Sequence, residues 1–529
     1  GKAVNLSTSG ADISGTANLD DVDIDGNLDV NGGTIKLDGN YPVGTGNVAL
    51  GDTALDSNVS GAQNTAIGSS ALTANTADDN TAVGWSAMSA NTAGSLNAAV
   101  GRSALAANTT GGSNTALGYA PLSNNTSGGS NVAIGRQALL SNTTASNNTA
   151  VGYQAGYSNT TGTRNIAIGN QAVYGNSTAS YNIGIGHRTL YANTTGDENV
   201  AIGDNAMLLN TTGQDNTVVG TSALSANTTG RNNVALGLSA LLSNTTASNN
   251  TAVGYTAGYS NTTGAQNTFI GRQASYTNTT GLYNSSFGND AMFYNTTGGY
   301  NTALGAAALN NNTTASNNVA VGYQAGYTNT TGSSNVSVGV QAVYTNTTGG
   351  SLSAVGVGAL YANTTGSNNV AMGTSSLVSN TTGASNTGLG RDALRVNTTA
   401  SANTAAGFRA GHAVTTGANN TFVGAYCGGA TDDGAQNTAV GMTALNAGNC
   451  GNSNTAIGCG ALEACTGGNN TALGLDAGTN VTSGGNNTFI GLNAGVTGNP
   501  GGNFTTGSNA LVIGNVGTSA AHVQVDWTV

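Results

Sequence analysis

Apolar and polar positions recur along this chain on a short, fixed cycle. A Thr or β-branched residue, an Ala, a second apolar residue and a Gly follow one another. A polar stretch, an Ala-Leu pair and an Asn-Thr-Thr-Gly run then lead to the next copy. The segment "NTAVGYQAGYSNTTG" fills residues 148–162 and returns almost letter for letter at 250–264. With Asn-Val in place of Asn-Thr it appears again at 318–332. Both offsets between these copies are multiples of 17. Fixed self-similarity of this length predicts a stack of identical coils.

The Gly that closes each "NTAVG" marks the register. It stands at Gly51, Gly68, Gly84 and Gly101, and so on to Gly458, Gly474 and Gly491: 27 markers, with two intervals one residue short. A looser copy, "NALVIG", ends at Gly514 after a longer interval. Asn stands four residues before the marker in 26 of the 27 copies, Leu352 being the exception.

Val, Ile or Leu almost always precedes the marker, and Thr, Val or Ile usually stands two residues earlier. Both favour strands, and alternation puts them on one face with the intervening Ala on the other. No charge occurs in this strand, which predicts burial of both faces. The "x-A-L-x" stretch, with Leu72, Leu105, Leu224 and Leu309, reads as a second short strand. "NTTG" and the later "x-x-N" read as turns. No apolar stripe of helical period exists. Two strands of about five residues and two turns make a flat, two-sided roll. The fold class expected is all-β: a parallel β-solenoid of about 27 coils of 17 residues. A core this thin needs cover on one strand face, and further copies in cyclic symmetry supply it.

Composition narrows the class further. Charged residues are 6% of the 529, far below a typical globular domain. Gly reaches 82 while Pro is 3, so neither collagen nor a Pro-rich linker fits. Disorder would not impose a period. The net charge of −11 comes from 11 basic and 22 acidic residues. Asp12, Asp20, Asp21, Asp23, Asp25, Asp29 and Asp38 all precede Tyr41, so the remainder is close to neutral. Without a basic stripe, nucleic acid is not an expected partner. No apolar run is long enough for a membrane span. The opening Gly-Lys, in place of Met, reads as a processed or partial product. Four cysteines, Cys427 to Cys465, are too few for a disulfide framework; Cys450 and Cys465, in adjacent repeats, are the one pair to consider.

The "NTAVG…A" coil resembles the head repeats of trimeric autotransporter adhesins, which are trimers of left-handed parallel β-rolls. The long "NTAVGYQAL-NTTG" array is more similar to bacteriophage tail fibres, chiefly of marine and cyanobacterial phages. "NLDDVDIDGNLDVNGGTIKLDGN" (18–40) resembles the β segment that precedes such arrays. "HVQVDWTV" (522–529) resembles the stretch before their C-terminal self-cleaving chaperone. The resemblance implies a left-handed roll in a homotrimeric rod, with an N-terminal β segment at 1–46 for attachment or trimerisation. The array at 47–495 and an irregular C-terminal cap at 496–529 follow. It further implies a virion location, with other tail proteins and a host cell-surface glycan or protein as partners, or the bacterial cell surface in the adhesin reading.

Candidate chemistry is sparse. Many "N-x-S/T" triplets match glycosylation acceptors, but turn geometry explains the Asn, and stacked amides form ladders. Adjacent turn threonines are not the flat, alternating array that ice binding needs. A polysaccharide depolymerase wants two acids flanking the scissile bond. Glu198 and Glu463 lie far apart, and Asp78-Asp79, Asp197-Glu198 and Asp432-Asp433 are turn neighbours. His187, His412 and His522 are too separated for a metal or a triad. No enzyme, metal or cofactor is expected.

Tyrosine is more informative. It recurs at the fifth residue after the marker in consecutive copies: Tyr157, Tyr174, Tyr191; Tyr259, Tyr276 with Phe293; and Tyr327, Tyr344, Tyr361. Such rows either stack as sheet packing or offer flat, hydroxyl-tipped rings to an extended glycan.

Overall fold

A computed structural model of the chain describes residues 44–496 and 504–514. The expected N-terminal segment at 18–40 and the ending at 522–529 lie outside the described residues. The described residues form a parallel solenoid of 28 three-residue strands, from β1 (Val48–Leu50) to β28 (Leu511–Ile513), with no helix. Each strand immediately precedes a marker Gly or, for β28, Gly514. Every strand pairs in parallel with the next, one period on. Between β7 (Thr149–Val151) and β8 (Ile166–Ile168) the partners are Thr149 and Ile166, Ala150 and Ala167, Val151 and Ile168. Because β28 pairs with Thr488–Ile490, the looser copy is a true coil carrying an insertion. Twenty-seven pairings at about 4.8 Å give a rod of about 130 Å.

Among the described residues the second strand does not form, and the cause is simple. The Ala and Leu of "x-A-L-x" are adjacent, yet both are buried, as at Ala104 and Leu105. Neighbouring residues on a strand face opposite ways, so burying both requires a bend. The backbone supplies one by placing alternate residues in the left-handed region: Ser103 at φ 55° and Leu105 at φ 54°. This conformation costs a non-Gly residue roughly 1–2 kcal/mol. Hydrogen bonds to the next coil offset the cost: the Leu105 N–H donates to the Pro121 carbonyl at 2.9 Å and the Ala107 N–H to Ser123 at 3.0 Å.

The remaining strand is also buried on one face rather than two. Its central Ala is fully buried, as at Ala150, while the flanking residues are half-buried or exposed. Leu117, Leu304, Met372 and Leu473 stand between 46% and 49% exposed, on strands that carry no Asp, Glu, Lys or Arg. An apolar column beside the marker Gly, flanked in most strands by Thr or Ser, therefore runs the length of the rod as a charge-free strip.

The marker Gly is fixed by geometry. Gly152 has φ 137°, and a Cβ there would lie 2.4 Å from the Gly169 carbonyl oxygen. Asparagine forms two ladders, the amide stacking that the sequence predicts. In one, the Asn165 N–H donates to Asn148 Oδ1 at 2.8 Å, and the Asn148 N–H to Asn131 Oδ1 at 2.9 Å. In the other, Nδ2 of Asn159 donates to Asn142 Oδ1 at 3.0 Å. The two meet where Asn148 and Asn159 both donate to the Gly162 carbonyl at 2.9 Å. The first Thr of "NTT" extends the pattern: Thr143 Oγ1 donates to the Thr160 carbonyl at 3.1 Å. These turn residues thus hold coil to coil.

Candidate functional site

The tyrosines fall into rows along one side of the rod. Tyr157, Tyr174 and Tyr191 stack with centroids 5.0 Å apart and planes within 9°. Tyr259, Tyr276 and Phe293, and Tyr327, Tyr344 and Tyr361, do the same at 4.9–5.2 Å. All are half-buried. Inner ring faces cover each other, so a row offers ring edges and hydroxyls, with free faces only at its ends. Burial, then the flanking tyrosines, raises the pKa of the central Tyr174 and Tyr344 above the ordinary phenol value. Tyr174 and Tyr344 are therefore neutral across the physiological range.

Between two rows, Asn310 takes the slot that a ring would occupy. The result is a hollow of about 300 Å³ lined by Gln273, Asp290, Phe293, Tyr294, Asn310 and Tyr327. Asn310 Nδ2 is fixed on the Asp290 carbonyl at 2.8 Å, and Tyr294 meets Phe293 edge-on at 4.6 Å.

Sequence reasoning missed two further groups. The residue after the marker runs Trp85, Arg102, Tyr119, Arg136, Tyr153, and each Arg lies over two rings at 4.9–5.8 Å. The second group surrounds Asp392, whose carboxylate is approached by Nε of Arg391, Arg395 and Arg409 at 3.3, 3.5 and 3.9 Å. The signal for both was the period: Asp392 and Arg409, like Arg395 and His412, share a slot one coil apart.

Acids and histidines stay dispersed. His187 Nδ1 is 2.8 Å from Asp204, with both side chains half exposed. Among the described residues, no group of three or more His, Cys, Asp or Glu is placed to hold a metal ion. The cysteines are free, with Cys427, Cys450 and Cys465 buried and Cys459 half-buried. The Cys450 and Cys465 thiols both approach the Gly467 carbonyl, at 3.8 and 3.3 Å. Among the described residues, no helix is long and apolar enough to cross a membrane.

No protein-family model matches the chain, and no curated protein matches its sequence.

Proposed function

We propose that this chain is the shaft of a phage tail fibre, a left-handed β-roll assembled as a homotrimer that reaches host cell-surface glycans. The observation that carries the reading is the charge-free strip. Its apolar column spans every strand of a rod about 130 Å long. An exposed apolar surface of this extent marks an interaction site. Its partner must match the same pitch over the same length, and an identical chain about a shared axis does so in every coil. Three chains is the number implied by the resemblance to tail-fibre and adhesin-head arrays. Rigid length and small-residue turns suit a spacer, and the tyrosine rows supply repeated weak contacts to an extended glycan, which avidity multiplies.

The test separates assembly from folding. Val151, Val253 and Val321 are half-buried in the single chain, so Asp at these positions leaves each coil able to fold. Packed against two other copies, each Asp is an unpaired buried charge costing several kcal/mol. Val151→Asp/Val253→Asp/Val321→Asp is expected to remain β-rich by circular dichroism and to scatter light as a single chain. A variant that stays oligomeric would refute the packing. Tyr157→Ala/Tyr174→Ala/Tyr191→Ala is expected to weaken adsorption to host cells with little change in melting. Unchanged adsorption would leave the row as sheet packing.

A further inference from the structure

Between Asp290 and Asp432 the only Asp, Glu, Lys or Arg residues are Arg391, Asp392, Arg395 and Arg409. A stretch of more than eight coils thus places all its charge at one spot, in a chain whose net charge is −11. The slots themselves do not require charge. Other coils fill them with Gln, Ser, Tyr or Ala, and Asn fills the Asp392 slot at Asn205 and Asn493.

The cluster is asymmetric. One carboxylate, on an Asp392 only 7% exposed, faces three guanidinium groups, leaving an excess of two positive charges. All three approaches use Nε. The side chains of Arg391, Arg395 and Arg409 make no hydrogen bond among the described residues and are 67%, 49% and 44% exposed. Asp392 therefore gathers the three arginines around one carboxylate by charge, while a large part of each arginine side chain stays open to solvent. Guanidinium forks match the paired oxygens of a carboxylate, sulfate or phosphate.

The space fits the same class of group. Arg391, Asp392, Arg395 and Arg409 line an open hollow of about 410 Å³ together with Thr374 and Ser375, whose hydroxyls can donate to an anion. Arg391 and Arg409 lie 5.8 and 5.6 Å from the Phe408 ring, an apolar surface at the rim. The neighbouring imidazole reports the local field: burial first, then Arg409 and Arg395, lowers the pKa of His412 against the smaller opposing effect of Asp392. His412 also occupies the slot of the tyrosine rows, so the hollow opens on the same side of the rod.

We infer that the Arg391–Arg395–Arg409 cluster is a binding site for the oxyanion substituent of an acidic polysaccharide. The site stands on its own geometry; only its service to host contact rests on the fibre-shaft reading. The tyrosine rows on the same side meet the sugar chain by their ring edges, and the arginine cluster selects chains carrying carboxylate, sulfate or phosphate.

The full-length chain would be tested on immobilised dextran sulfate and polygalacturonate, with neutral dextran as the control and no cells present. Binding to either acidic polymer, weakening with added salt and absent on neutral dextran, is expected. The polymer preferred identifies sulfate or carboxylate as the better substituent. Arg395→Gln leaves two arginines on Asp392 and is expected to weaken binding about tenfold with unchanged melting. Arg391→Gln, at the most exposed of the three arginines, is expected to weaken binding by a similar factor. If the cluster only packs the coil, neither variant changes polymer binding, and that result overturns the inference. Equal retention on neutral and acidic dextran overturns it as well. Either failure leaves the shaft reading intact, because oligomer formation and host adsorption are read separately.

Discussion

Leu352 is a substitution that the chain has already made in its own asparagine ladder, and it sets up a quantitative test. In a regular coil such as that of Asn148, which is 1% exposed, the side chain makes two bonds. Its Oδ1 accepts the Asn165 N–H at 2.8 Å, and its Nδ2 donates to the Gly162 carbonyl at 2.9 Å. Asn148→Ala leaves the Asn165 N–H buried without that acceptor, costing about 1–3 kcal/mol. The lost Nδ2 bond adds about 0.5–1.5 kcal/mol, at the lower end because Gly162 keeps its bond from Asn159. The total is about 1.5–3.5 kcal/mol, local to one coil. Long arrays unfold in parts, so a global melting curve dilutes such a change. Amide exchange at Asn165 is the direct readout. A factor of ten corresponds to about 1.4 kcal/mol, so exchange there should accelerate roughly 10- to 300-fold. In the unmodified chain, the Asn369 N–H already faces Leu352, which has no side-chain oxygen to accept it. It should exchange faster than Asn386, whose N–H bonds Asn369 Oδ1 at 2.8 Å, and Leu352→Asn should slow it. Equal protection at Asn369 and Asn386, or no change at Asn165 in Asn148→Ala, would refute the claim that the ladder holds the coils.

The core packing makes its own predictions. Phe269 replaces the common strand Ala where the flanking coils carry Gly258 and Ser275 in the Leu slot, and a Cβ on Gly258 would lie 2.5 Å from the ring. Phe269→Ala should cost about 3–5 kcal/mol and Gly258→Leu should also destabilise, while the double variant recovers at least about 2 kcal/mol in a mutant cycle; additive losses would contradict the fit. Gly152→Ala should cost about 3 kcal/mol or more, through strain at φ 137° and contact with Gly169; a neutral result in denaturation would show that the coils can part. Burial pushes the Cys427 thiol up to about 12. A thiol raised on folding stabilises fully below its unfolded value, and that contribution is lost as pH rises toward 12. Cys427→Ala, which restores the residue common at that slot, should therefore flatten the fall in melting temperature above about pH 9; parallel curves would deny the shift. A thiolate-selective reagent should label Cys459 before Cys427.

Much of the fold was legible because the constraints that set it recur in every coil. The marker Gly, the recurring Asn and the β-branched positions each occupy one slot, so period, strand position and amide ladders follow from register alone. The loss of the second strand was not legible from propensity. Ala and Leu favour no turn, and the left-handed bend at Leu105 is imposed by the need to bury two neighbours at once. The strand face of Val and Thr looked buried because it lacks charge, but no other part of the described chain covers it. Tyr157, Tyr174 and Tyr191 were found as a row, while the mutual covering of their faces depends on side-chain geometry at 5.0 Å. The arginine cluster escaped because Arg391 and Arg409 look distant until the chain is folded at its own period.

The central claim is a rod that advances by one coil per repeat and is closed along its apolar strip by copies of itself. Multi-angle light scattering combined with small-angle X-ray scattering on the full-length chain tests both parts together. The account predicts the mass of three chains with an ordered shaft about 130 Å long, the length of a single array. The mass of one chain would contradict the shared strip, and a shaft near half that length would contradict the coil.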